Sequence, residues 1–369
     1  MITSAFFITV VLLYAVFVLY LWWHWRHLSA PVISNSTEEL SISILIPFRN
    51  EGNHLPHLID HLNKQIVPSH ILWEVLLIND HSTDGYELEV PSSQSFSIRV
   101  LSNSGEGKKA AITMGAAAAK GELLITLDAD VRIGTNWLST IAGVYQHKKA
   151  ALYILPVMLE PSRSVFGQMQ ELEFCSLMGT TLAMAQSGQP IMCNGANLAF
   201  QKKAFESLGG YQMGKSLASG DDLFLLFAVK KHSTMTIEYA ALSEATAYTE
   251  GARSLSEFLS QRIRWGGKSR HYSDLPALWT AALVLLVNLV LVASLICAGL
   301  GIISWISASI IWAIKFIPDL LFLGIVASWF NRRSILWTSP LVLIVYPMYI
   351  VIAGLAGFFW KPGWKGRRI

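Results

Sequence analysis

Apolar and polar positions divide the chain into three stretches. Residues 2–23 carry no charge and are long enough to cross a bilayer, which takes ~20 apolar residues. His24, Arg26 and His27 follow directly, and a basic flank at that end places the next segment in the cytoplasm. The run lacks the basic start and short apolar core of a cleaved signal peptide, so residues 1–25 read as an N-terminal transmembrane anchor. From 276 to 360 the chain is again nearly uncharged, and between Ala277 and Phe330 only Lys315 and Asp319 are ionisable. Spans are expected near 277–298, 300–318 and 335–360, with Trp279, Trp305, Trp312, Trp329, Trp337 and Trp360 available for interfacial belts. The loop Asn331-Arg332-Arg333 and the basic tail, 361–369, both read as cytoplasmic, which a single simple span between them does not allow. Pro347 could turn 335–360 into a re-entrant hairpin, or Pro318 could split 300–330 into a span and an interfacial helix.

Residues 41–250 follow a different pattern. Short β-rich runs at 41–47, 73–78 and 123–127 end in polar residues, and helical stretches at 54–66 and 107–120 lie between them. Such alternation predicts a mostly parallel sheet with helices on both faces. Ligands of these sheets bind beyond the carboxyl ends of the strands. Asp80, Asp128 and Asp130 fall at those ends. A further apolar stretch, 164–187, reads as an amphipathic helix lying against a membrane or covering the site, and 86–97 as a loose loop.

Composition narrows the class. With 53% apolar and 14% charged residues the chain is not wholly soluble, and a net charge of +3 is too small to argue for nucleic acid. Cys175, Cys193 and Cys297 are isolated, with no CxxC pair to suggest zinc or a disulfide framework. His54, His57 and His61 share helical spacing but lack the Glu of HExxH, so they read as a solvated helix face. Lys108, in Gly-Glu-Gly-Lys, is not in a P-loop, because Ser102 stands where Walker A needs its first Gly.

Four motifs then appear in order: Ile-Asn-Asp-His-Ser-Thr-Asp-Gly (78–85), Asp-Ala-Asp (128–130), Gly-Asp-Asp (220–222) and Gln-Arg-Ile-Arg-Trp (261–265). Between two membrane-like ends, this series resembles the family 2 membrane glycosyltransferases, the group of cellulose, chitin and hyaluronan synthases and ceramide glucosyltransferases. The resemblance covers roughly 41–270. It implies an α/β fold of GT-A type (Rossmann-like, mostly parallel sheet) over 41–250, an interfacial helix at 251–273, and transmembrane helices at 1–25 and in 276–360.

The resemblance also implies roles. Asp130 would coordinate Mg²⁺ or Mn²⁺, with Asp128 touching metal or nucleotide, because a hard cation shares oxygen ligands between carboxylate and diphosphate. Asp80 would contact the nucleobase, and Glu51 and Lys108 would serve the donor; as a helix-start lysine, Lys108 has an equally good structural reading. Asp222 would take the acceptor's proton in an inverting transfer, with Asp221 orienting it, although an Asp pair also suits the N-terminus of the apolar helix that follows. Asn194 and Gly195 would form an acceptor-side loop, for which an ordinary turn is nearly as good a reading. Gln261, Arg264 and Trp265 share one helical face; Arg264 would meet the departing diphosphate and Trp265 the acceptor. The other basic residues near them would face lipid. The expected substrates are a nucleotide-sugar donor, UDP-glucose or UDP-N-acetylglucosamine first, and a lipid or glycan acceptor. The short C-terminal region favours single transfer to a lipid over a processive polysaccharide synthase, and the intact motifs argue against an inactive scaffold or transporter.

Overall fold

The computed structural model describes residues 2–86, 96–212, 221–268, 272–359, 363–364 and 367–368. Gly220, most of the expected 86–97 loop, Arg270 and much of the basic tail lie outside them. The chain begins with α1 (Ile2–Arg26), β1 (Leu40–Phe48), α2 (Leu55–Asn63), β2 (Ile71–Asn79), β3 (Ser97–Ser102), α3 (Gly107–Ala118) and β4 (Leu123–Leu127). There follow β5 (Arg132–Ile133), α4 (Trp137–His147), β6 (Leu152–Ile154), β7 (Val157–Leu159), α5 (Val165–Gln186), β8 (Asn197–Gln201) and α6 (Lys202–Ser207). The remainder comprises α7 (Asp221–Lys231), β9 (Ile237–Tyr239), β10 (Ala247–Thr249), α8 (Leu255–Lys268), α9 (Leu275–Gly299), α10 (Trp305–Trp329) and α11 (Ser339–Phe359).

Two compact units emerge. One comprises Ser29–Met158 and Pro190–Glu250, and the other Met1–Leu28, Leu159–Gln189 and Gly251–Arg368. The first contains a seven-stranded sheet in the order β3-β2-β1-β4-β8-β6-β9. Strands β3, β2, β1 and β4 are parallel, whereas β8 runs antiparallel to both β4 and β6. The near-continuous apolar runs of β1, β2 and β4 suit strands covered on both faces. Strand order reverses between β1 and β4, and such a switch point opens a crevice beyond the carboxyl ends. Gly121 leads into β4 because a Cβ there would stand 2.4 Å from the Ser43 backbone nitrogen.

Glu74 is buried inside this sheet, where Ser43 Oγ (2.7 Å), the Lys120 amide (2.6 Å) and Arg99 Nη2 (3.0 Å) all donate to it. Burial alone would raise its pKa, but these donors outweigh burial and hold the carboxyl below its usual value.

The second unit gathers α1, α5 and α8–α11. Four of its helical stretches are long and apolar enough to cross a membrane: Ile2–Arg26, Leu275–Gly299, Trp305–Trp329 and Arg333–Gly357. Phe7, Val10 and Val11 of α1 pack with Val287, Val290 and Leu291 of α9 and with Ile311 of α10.

Several expectations are corrected here. Pro318 does not split its block, since α10 runs unbroken through it; Pro347 likewise lies inside the single helix α11. Lys315 and Asp319 are therefore not placed at a helix end. They are 2% and 8% exposed at mid-helix and pair at 2.6 Å, with Tyr14 Oη donating to Asp319 at 3.0 Å. Helix α5 packs against α1, α10 and α11 and buries Glu171 and Glu173 as well as its apolar residues. Arg262 does not face lipid. It is 6% exposed and forks onto Glu173, because a buried guanidinium needs a carboxylate partner.

Candidate functional site

The chemistry-bearing residues of the sheet unit sit where its strands end. At the close of β2, Asp80 is 3% exposed, and its amide donates to the Phe48 carbonyl of β1 at 2.8 Å. Its Oδ1 accepts from Asn103 Nδ2 (2.8 Å) and from the Gly107 amide (2.9 Å) at the start of α3. A carboxylate fits there because the first turn of a helix offers unpaired amides and a positive dipole end. Arg49 Nη1 donates to the Asp80 carbonyl at 3.0 Å, and the Gly52 amide donates to Asp84 Oδ2 at 2.8 Å. The loops after β1 and β2 are thus tied together. Glu51 Oε2 lies 2.6 Å from His54 Nδ1, so His54 belongs to this loop rather than to a metal cluster.

Beyond β4, Lys108 Nζ donates to Asp128 Oδ1 at 2.6 Å and to the Gly195 carbonyl at 3.4 Å. The Gly195 amide in turn donates to Asp222 Oδ2 at 3.1 Å. Asp222 is the second residue of α7, and its Oδ1 accepts from the Leu223 amide at 2.9 Å. Asn194 shapes the turn: its Oδ1 accepts from the Ala196 amide at 3.0 Å and its carbonyl from the Asn197 amide at 3.1 Å. Lys108, Asp128, Gly195 and Asp222, dispersed along the sequence, therefore form one linked group. Asp221 is the first residue of α7, and its side chain lies outside the described residues.

Asp130 reaches Thr249 Oγ1 at 3.3 Å, because β5, just after the Asp-Ala-Asp turn, pairs with β10. Among the described residues no group of three or more His, Cys, Asp or Glu side chains converges. Paired carboxylates from one turn suit a hard cation that takes its remaining oxygen ligands from a bound diphosphate. With Lys108 already on Asp128, the donor set fits such an ion best at Asp130.

In the helical unit, Gln261, Arg264 and Trp265 all lie on α8. Gln261 Oε1 accepts from Arg262 Nη1. The Arg262 guanidinium lies over the rings of Phe258 (4.3 Å) and Trp265 (4.5 Å), and the Trp265 ring stands 6.4 Å from Phe174. Sequence reasoning missed Asn103, Glu173 and Arg262. Only Asn103 carried a signal, as a polar residue between a strand end and a Gly-rich helix start, the same setting as Asp80.

Over 95 residues the chain is 41% identical to the undecaprenyl-phosphate 4-deoxy-4-formamido-L-arabinose transferases of Salmonella choleraesuis (strain SC-B67) and Salmonella paratyphi B (strain ATCC BAA-1250 / SPB7). The match takes in 25% of this chain and spans 29% of the length of those relatives. The mannosyltransferase PcManGT of Pyrobaculum calidifontis, solved with GDP-Man and Mn²⁺, superimposes with a TM-score of 0.60 at 17% identity, over 93% of this chain and 99% of that one. That likeness establishes a shared fold. Residues 43–209, a little under half of the chain, match the family described as Glycosyl transferase family 2.

Proposed function

We propose that the protein transfers a sugar from a nucleotide-sugar donor to a membrane-lipid acceptor, with inversion at the anomeric carbon. The observation that carries this reading is the linked group Lys108–Asp128–Gly195–Asp222 at the carboxyl ends of a family 2 sheet. Asp80, set by Asn103 and the Gly107 amide, receives the nucleobase, and Glu51 and Lys108 line the donor side. Asp130, with Asp128, holds a divalent cation; when bound, Mg²⁺ or Mn²⁺ neutralises the charge of the leaving diphosphate. The PcManGT structure, solved in complex with GDP-Man and Mn²⁺, supports that assignment by analogy. Asp222, oriented by two backbone amides, takes the acceptor's proton, with Asp221 beside it. Asn194 and Gly195 border the acceptor. Arg264 pairs with the departing diphosphate, Gln261 supports it, and Trp265 offers the acceptor a ring edge while Arg262 covers one of its faces.

Two lipid acceptor chemistries fit. A hydroxyl must lose a proton as it attacks, so Asp222 would carry a factor of ~10²–10⁴. A phosphate monoester is already mostly ionised at neutral pH and needs no base. The undecaprenyl-phosphate relatives favour the phosphate, and the held carboxylate of Asp222 favours the hydroxyl. Incubating detergent-purified protein with Mn²⁺, labelled UDP-sugars or GDP-mannose, and lipids of each kind measures both. Label in the lipid fraction is expected. Loss of transfer in Asp222→Asn identifies a hydroxyl acceptor, whereas retention with a phosphate lipid identifies that one. Label in polymer alone, or no donor turnover at all, overturns the reading.

A further inference from the structure

Helix α5 contains a buried carboxylate outside all four motifs. Glu173 accepts from Arg262 Nε at 2.8 and 3.0 Å, from Arg262 Nη2, and from Tyr349 Oη of α11 at 2.6 Å. Burial alone would lower the Arg262 pKa, but Glu173 outweighs burial and holds the guanidinium above its usual value. Arg262 is the second residue of Gln-Arg-Ile-Arg-Trp. It donates to Gln261 Oε1 and lies 4.5 Å over the Trp265 ring, touching two of the motif's three named side chains. Trp265 also faces Phe174, the neighbour of Glu173 on α5.

We propose that Glu173 is a positioning residue for the Gln261–Trp265 segment: by locking Arg262 it fixes the rotation of α8, and with it the direction in which Arg264 and Trp265 point. The pair does more than fill a core. Its guanidinium is shared between the carboxylate on one side and the motif's amide and indole on the other, so loss of the carboxylate frees the group that orders both. Tyr349 extends the clamp to α11, tying the orientation of α8 to a long apolar helix. This inference rests on the proposed role of α8 in catalysis, but its effect on the helix itself does not.

The test compares wild type, Glu173→Gln and the double variant Glu173→Leu/Arg262→Met. The double variant replaces the ion pair with apolar side chains, an exchange that keeps or raises stability in other buried pairs. In Glu173→Gln, amide exchange over residues 261–266 should speed up at least about tenfold. The kcat for donor turnover should fall about 10²-fold with KM nearly unchanged, the scale of a misplacement of ~1 Å. The double variant should recover the wild-type melting temperature in detergent and not the turnover. A double variant with wild-type kcat, or Glu173→Gln with unaltered exchange, overturns the proposal. Wild type without any turnover would instead count against the proposed function, and the exchange result would still decide the positioning role.

Discussion

Asp80 and Asn103 meet across 23 residues of sequence, both buried, with the amide of one donating to the carboxylate of the other at 2.8 Å. Replacing Asn103 with Ala removes one donor from a carboxylate that is only 3% exposed. The expected cost is ~1–3 kcal/mol of stability, measurable by denaturant unfolding of detergent-solubilised protein. Donor affinity should weaken in step in calorimetry, because the nucleobase contact assigned to Asp80 loses its support; Asn103→Asp, which sets two carboxylates side by side, should be worse. Asp80, Asp128 and Asp130 were legible because they follow strands, and a carboxylate at a strand end is visible in the local pattern. Asn103 had the same local signal, but its partner, Asp80, follows another strand and only folding brings the two together. The same holds for Glu173 and Arg262, which are 89 residues apart. Read alone, Arg262 was one more basic residue on an amphipathic helix, and burial reversed that reading.

Among whole elements, α10 shows where local rules reach their limit. Pro318 suggested a break, since proline removes one backbone donor and crowds the preceding turn. In a packed apolar bundle the freed groups can be satisfied by neighbours, and the helix continues from Trp305 to Trp329. Continuity puts Lys315 and Asp319 at mid-helix, where Lys315 also lies over the rings of Tyr14 (5.7 Å) and Tyr346 (5.1 Å). Asp319→Leu would strand the ammonium, and a loss of ~3–5 kcal/mol is expected from breaking a buried pair on one side. Lys315→Met combined with Asp319→Leu should recover most of that loss. Melting of the three proteins in one detergent checks it; a single variant as stable as wild type would mean that the ammonium finds water. The strands were the more legible elements. The expected 41–47, 73–78 and 123–127 all lie within β1, β2 and β4, because a buried parallel strand is continuously apolar. By contrast, the apolar residues of α5 gave no sign that Glu171 and Glu173 would also be buried.

Among the described residues, length and apolarity count four helices able to cross a membrane, but packing assigns them unequal roles. Helix α11 follows α8 in parallel: Phe258 lies 5.3 Å from Tyr349, Gly266 abuts the Ala353 carbonyl, and Gly267 meets Gly357 backbone to backbone. A Cβ at Gly357 would stand 2.7 Å from the Gly267 nitrogen, so side chains larger than hydrogen cannot fit at that crossing. Helix α8 carries Glu257, Gln261, Arg262 and Arg264 and is too polar to run through hydrocarbon unless every charge is paired. An apolar helix held along it over nearly its whole length is better placed to return toward the α8 side than to cross straight out. That route also removes the charge conflict in the sequence, because Asn331–Arg333 and the basic tail then share a side, as the positive-inside tendency favours. The prediction is specific. In a background with Cys175, Cys193 and Cys297 replaced, a cysteine at Ile369 should react with an impermeant maleimide from the same face of sealed vesicles as one at Arg253. A cysteine at Gly301, between α9 and α10, should react from the other face. Labelling of Ile369 with Gly301 instead would make α11 a full span, and the Gly267–Gly357 contact would then mean that α8 dips into the membrane beside it.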